Sequence, residues 1–223
     1  MFRIAPTPSL LPNELIERAS KIEPATVGHI QYHGFALGLR PVTTANRFVG
    51  TAITVRLSAM DGSALHYAAD EVQPGHVVVI EMGQDRERAC VGAMVCFALA
   101  LRGAAGIVID GMATDIADLE ATGLPIFARG LSPVTTRLLG NDGDVNMPVT
   151  VAGALVRPGD LVIADPNGVV FIDPPVFNKM YDHLVEFQDV EPGAREELRS
   201  GVKLTDRFGA GDLVRRSAIY VNP

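Results

Sequence analysis

An α/β protein built on a central, partly parallel sheet is what this sequence predicts, and three observations predict it. Across residues 74–128, buried-looking strands alternate with helical patterns at the spacing of βαβ units. From Val149 onward, short strands follow one another with only turns between them, which reads as an antiparallel β layer. Hydrophobic residues make up 48% of the 223, enough for a sizeable core without disulfides.

The elements follow in order. Pro12-Asn13-Glu14-Leu15-Ile16 opens an amphipathic helix over 12–22, with Asn13 as its cap or Pro12 in its first turn. A Gly- and Pro-rich loop leads to a strand over 49–57, then a helix starts at Asp61-Gly62-Ser63 and runs to about Asp70. Pro74-Gly75 turns into a buried strand over 76–82. Residues 86–102 read as one helix, with Gly92 inside it and Gly103 ending it. A second buried strand spans 106–110, a short helix 115–121, and a third strand 124–128. The β layer comprises 149–151, 154–157, 161–164 and 169–172. Helices over 174–188 and 194–200 follow. No linker divides the chain, so the expectation is one domain over 1–223 with a helical extension over 174–223.

Charge and composition exclude several classes. The net charge is −7 and no Lys/Arg run offsets it, which argues against direct nucleic-acid binding. Cys90 and Cys96 sit in an apolar stretch and read as reduced core thiols. Met1 to Leu11 lacks a secretory pattern, and the apolar run around Val91 to Leu101 is too short to span a bilayer. A cytoplasmic protein with no membrane partner is expected.

In an open α/β sheet, ligands bind beyond the carboxyl ends of the parallel strands. Two such ends are legible, Glu81-Met82-Gly83-Gln84-Asp85 and Asp110-Gly111-Met112-Ala113-Thr114-Asp115. Helices beginning there favour an anion. Asp115 stands out. Periodicity alone favours reading it as a helix N-cap, and the functional alternative is a ligand for a hard cation. Asp110 and Gly111 read as a strand terminus and a tight turn. Gly92, inside a helix, reads as a close-packing position. His29 and His33 lie four apart, a weak metal signal flanked by Gly28 and Gly34.

The run Gly106-Ile-Val-Ile-Asp110-Gly111-x-x-x-Asp115, continuing through Gly123-Leu124-Pro125-Ile126-Phe127-Ala128-Arg129-Gly130-x-Ser132-Pro133, resembles the RraA-like and class II pyruvate aldolase family. Pro24-Ala25-Thr26-Val27, Gly50-Thr51-Ala52-Ile53-Thr54-Val55 and Pro158-Gly159-Asp160-Leu161-Val162 extend the resemblance over about residues 15–209. The family holds 4-hydroxy-4-methyl-2-oxoglutarate aldolases and the regulator of ribonuclease activity A. The resemblance implies a layered β/β/α fold of the swivelling phosphohistidine-domain type, assembled as a homotrimer or homohexamer, with its site between subunits.

It also implies a site, residue by residue. Asp115 stands where the family's aldolases hold Mg²⁺ or Mn²⁺. Thr114 stands where they carry an Arg that grips the pyruvyl carboxylate, so a bidentate fork and a positive charge are lost. Gly92-Ala93-Met94-Val95 matches a substrate-binding backbone stretch whose acid, a proton-transfer group, has become Ala93. Two acids from a neighbouring subunit align with His29 and Glu191, so one is altered and one kept.

The function expected is a metal-dependent lyase on a small 2-oxo acid, by retro-aldol cleavage to pyruvate or by oxaloacetate decarboxylation. Decarboxylation needs no base to start cleavage, so it tolerates Ala93 better. The alternatives are a non-catalytic regulator binding a protein such as a ribonuclease, and a metal enzyme of altered specificity using His29.

Overall fold

The computed structural model describes residues 1–58 and 60–218. They fall into two compact units, Met1–Tyr181 and Asp182–Pro223.

The first unit is organised by a sheet of nine strands among the described residues. Its spine is four parallel strands side by side: Phe48–Leu57, His76–Glu81, Gly106–Ile109 and Ile126–Ala128. The helices Ser63–Glu71, Ala93–Leu101 and Ile116–Thr122 make the connections, the βαβ alternation expected from the sequence. These strands read as continuous apolar runs because both faces are covered. Ile53, Val55, Val78, Ile80, Ile107, Ile109 and Ile126 join helix residues such as Leu65, Cys96, Leu99 and Leu119 in one buried cluster. Their alternates Ala52, Val77, Val79, Val108 and Phe127 join Val149, Val151, Val156, Val162 and Phe171 in a second. The period of two thus sorts one set of strands into two cores, with helices on one side and β ribbons on the other. Truncating Phe127, fully buried against Phe48, would cost about 3–5 kcal/mol.

The antiparallel layer is as expected in kind. Leu161–Asp165 and Gly168–Ile172 form a hairpin, and Val149–Val151 pairs with Ala154–Val156 as a separate ribbon. The long strand Phe48–Leu57 divides one edge between two partners: its first half takes Leu161–Asp165, its last residues take Gly143–Val145. Phe2–Ile4 then adds in parallel to Gly143–Val145. Neither of these two short strands was predicted, because three residues carry no periodicity. Ion pairs secure them instead: hydrogen bonding from Arg3, with Arg56 beside it, holds the buried Asp144 carboxyl well below the usual range against the opposing effect of burial.

Three helix expectations need correction. The segment 86–102 is not one helix but a strand, Ala89–Val91, followed by the helix Ala93–Leu101. Asp85 Oδ1 takes the N–H groups of Glu87 and Arg88, and residue 89 is bonded on both sides to 134–136, so tertiary pairing overrides helical propensity. The first helix is Asn13–Ala19, preceded by Pro12 with no side-chain cap.

A single helix runs over Pro174–Arg199. The break expected between 188 and 194 is absent. Pro192 removes one N–H, and the pair Glu191–Arg195 at 2.6 Å bridges that turn. The second unit continues with Leu204–Arg207 and Ala210–Ser217, and Arg207 pairs with Glu197. Residues 219–223 of the expected extension lie outside the described residues. Among the described residues no helix is long and apolar enough to cross a membrane.

Candidate active site

A small parallel sheet of Ala89–Val91, Met112–Ala113 and Gly130–Leu131 builds the site. The chain leaves all three strands at the same end. Gly92, Thr114 and Ser132 therefore emerge side by side, with the Thr114 N–H donating to the Val91 carbonyl at 3.0 Å and the Ser132 N–H to the Ala113 carbonyl at 2.9 Å. Three stretches distant in sequence converge for this reason.

Asp115 follows at φ 58°, a left-handed backbone conformation that costs a non-glycine residue about 1–2 kcal/mol and is tolerated best by Asp and Asn. It occupies the N-cap position of Ile116–Thr122 but makes no side-chain cap bond there, so the capping role favoured by periodicity is overturned. The left-handed turn aims the carboxylate elsewhere: Oδ2 accepts the Ala93 N–H at 2.9 Å, and the Thr114 hydroxyl lies 3.3 Å from Oδ1. The side chain is exposed.

Gly92 is likewise not a mid-helix packing residue. It is the N-cap of Ala93–Leu101, and a Cβ there would lie 2.6 Å from Asp115 Oδ2 and 2.9 Å from Thr114 Cγ2. Only glycine lets the carboxylate reach the helix start. In that helix the first-turn N–H groups of Met94 and Val95 have no intrahelical acceptor, and the dipole favours an anion beside them.

The other strand ends are closed. Glu81 Oε2 accepts the Thr150 N–H at 2.9 Å, and Asp110 takes the Ala152 N–H at 2.8 Å and the Arg129 guanidinium. The ribbon around residues 149–152 thus seals that part of the rim, and Asp110 is structural, as expected. Further along the chain, residues 139–141 are held by Asp61, 1% exposed. Burial pushes its carboxyl up, but donation from Ser63, Asn141 and Leu139 outweighs this and holds it well below the usual range.

Of the residues expected at the site, the structure brings together Gly92, Ala93, Thr114 and Asp115, with Met94 and Val95 in the adjoining turn. His29 stands apart on the chain, just after the short helix Pro24–Val27, which packs on the Leu161–Asp165 hairpin. Glu191 belongs to the second unit, paired with Arg195. Ser132 has no role expected from the sequence; the Gly-x-Ser-Pro spacing is its only signal there, and the three-strand pairing is what brings it to this edge.

The donor set fits a hard cation of low protein coordination. Asp115 Oδ1 has only a long contact to Thr114, leaving an oxygen for Mg²⁺ or Mn²⁺, ions that bind through one or two carboxylates plus waters and substrate oxygens. Among the described residues no three His, Cys, Asp or Glu side chains converge as a ligand cage.

Comparison with known proteins follows the same outline. Residues 26–171 match the family model described as RraA-like, Aldolase/RraA. A Halalkalibacterium halodurans protein, whose name, 4-hydroxy-4-methyl-2-oxoglutarate aldolase, is itself provisional, is 36% identical over 60% of this chain; the match spans 63% of that relative, under two thirds of its length. An uncharacterized protein of Methanocaldococcus jannaschii is 30% identical over 76% of this chain and 82% of its own. Among solved structures, Streptomyces coelicolor RraAS2, described as an unusual member of the RNase ES inhibitor RraA family, superposes with a TM-score of 0.75 at 25% identity, covering 83% of this chain and 98% of that one. An uncharacterized Pseudomonas syringae protein reaches 0.76 at 22% identity over 92% and 98% of the two chains and shares the fold.

Proposed function

We propose, from the premise that this chain belongs to the RraA-like (Aldolase/RraA) family, that it is a divalent-metal-dependent carbon–carbon lyase acting on a small 2-oxo acid. The observation that carries the reading is the open Oδ1 of Asp115, whose other oxygen holds the first N–H of the Ala93–Leu101 helix: one hard anionic oxygen at a helix start suited to a carboxylate. A bound Mg²⁺ or Mn²⁺ would supply Lewis-acid chemistry at the 2-oxo oxygen. The first-turn amides orient the substrate carboxylate. Thr114 offers one neutral hydroxyl where an Arg would give a charged fork, so affinity for the oxoacid is weak. Ala93 carries no proton, so oxaloacetate decarboxylation is favoured over retro-aldol cleavage, which loses about 10²–10⁴-fold without acid–base help.

The assembly belongs to the same proposal: a homotrimer or homohexamer of swivelling-domain-type protomers in the cytoplasm, with His29 and Glu191 reaching a neighbour's site. Met94, Phe97 and Leu101 support it, since they form an exposed apolar stripe at helical spacing. Manganese titration with oxalate present tests the metal reading: saturable uptake lost in Asp115→Ala is expected, and uptake that persists in the variant refutes it.

A second reading is favoured by the neutral pair Ala93 and Thr114 and by the likeness to the Streptomyces inhibitor-family protein. It is a non-catalytic regulator binding a protein partner such as a ribonuclease. No metal uptake together with capture of a purified ribonuclease would favour it.

A further inference from the structure

A cavity of about 850 Å³ lies within the first unit between the 28–37 loop, residues 152–157 and the Gly168–Ile172 strand. Its lining includes neither Asp115 nor any residue of its surroundings. The volume suits a small organic ligand. Tyr32, Phe35 and Phe171 supply aromatic surface, and the polar groups are Gln31, Asp160 and Asp173, with Arg157 and His33 also on the border.

Gln31 and Asp160 are 8% and 7% exposed, so each is more than nine-tenths buried. Each uses half of its polar head. Gln31 Nε2 donates to the His33 carbonyl at 2.9 Å, and Asp160 Oδ2 accepts the Arg157 N–H at 2.7 Å. Among the described residues no donor is recorded for the remaining oxygens, Gln31 Oε1 and Asp160 Oδ1, and neither is among the sealed unsatisfied atoms. They therefore keep access to space, and the space these residues line is this cavity. Both are acceptors, and an ionised carboxylate offers nothing else. Burial pushes the Asp160 carboxyl up and the nearby Asp173 charge adds to this, against the N–H and charge of Arg157. Asp160 is thus a poorly solvated anion for which an incoming cation would be a better partner than the present surroundings.

We propose that this cavity is a binding site for a small primary ammonium compound with an aromatic or aliphatic body. The ammonium would donate to Asp160 Oδ1 and Gln31 Oε1, with Asp173 adding negative charge. Two carboxylates against the single guanidinium of Arg157 set the sign. The ring would lie among Tyr32, Phe35 and Phe171, where a cation and its apolar stem are both accommodated.

Phenethylamine serves as the probe, with 2-phenylethanol as its neutral counterpart, in calorimetric or NMR titrations of the intact protein. Saturable phenethylamine binding is expected, with the alcohol at least about tenfold weaker, the difference of one charge-assisted hydrogen bond. Asp160→Asn keeps an oxygen for the Arg157 N–H, so the turn is retained, and it should weaken the amine at least about tenfold. Gln31→Leu should weaken it less. Asp115→Ala should leave it unchanged. Absence of saturable amine binding overturns the proposal, as does equal binding of amine and alcohol or indifference to Asp160→Asn.

Discussion

Asp115 begins one helix and caps another: its carboxylate lies 2.9 Å from the Ala93 N–H, twenty-two residues back in the chain. The left-handed backbone at Asp115 and the missing side chain at Gly92 are two halves of this arrangement. Strain at the first is held in place by the small parallel sheet, and space at the second admits the carboxylate. Strained backbone of this kind is characteristic of functional positions.

Gly92→Ala tests the close approach. Its Cβ would displace Asp115 Oδ2 and Thr114 Cγ2. Denaturant titration is expected to show a loss of about 1–3 kcal/mol, as for overpacking. Manganese affinity should fall by more than stability does. An alanine variant with undiminished metal affinity would mean that the carboxylate need not sit where it does.

Thr114→Arg restores a charged fork beside Asp115. Charge-assisted hydrogen bonds contribute about 1.5–3 kcal/mol, so oxalate or pyruvate should bind about 10–100-fold more tightly in the presence of Mn²⁺. Unchanged affinity would indicate that the oxoacid does not lie against this position.

Asp61→Ala leaves the Leu139 and Asn141 N–H groups without their acceptor. A loss of about 2–4 kcal/mol in chemical denaturation is expected, with faster amide exchange across 134–141. Because the folded carboxyl titrates below its ordinary value of 3.8, its contribution is present above that pH and is lost as pH falls further. The variant should therefore show a flatter acid limb than the parent.

His76 gives a prediction near neutrality. Burial lowers its pKa from the ordinary 6.5, against a smaller opposing effect of the Pro8 carbonyl, and Nδ1 accepts the Gln73 N–H at 3.1 Å. The folded protein holds it neutral, so its contribution is full above about pH 6.5 and declines as pH drops, when the unfolded chain takes up the proton. Stability measured between pH 7.5 and 5 should fall in the parent and fall less in His76→Asn. Equal slopes would contradict this.

The parallel spine was legible because its strands are continuous apolar runs alternating with helical patterns, as at Val77 to Ile80; the sorting of their two faces into two cores was not. The site's own sheet was not. Its strands run two or three residues, and one lies inside a segment, 86–102, whose residues favour helix. The resemblance to the family pointed to Gly92, Thr114 and Asp115, but periodicity assigned Asp115 a cap and Gly92 a packing role. Only the pairing of 89–91 with 112–113 and 130–131 turns three separate turns into one edge. His29 and Glu191 lie on other elements of the chain, and the proposed assembly is what would bring them to a site.

The most direct measurement is oxaloacetate decarboxylation followed with and without chelator, in the parent and in Asp115→Ala. The account predicts turnover that is abolished by chelation, restored by Mg²⁺ or Mn²⁺, and absent from the folded variant at every metal concentration. Decarboxylation that survives both chelation and loss of the carboxylate would contradict it.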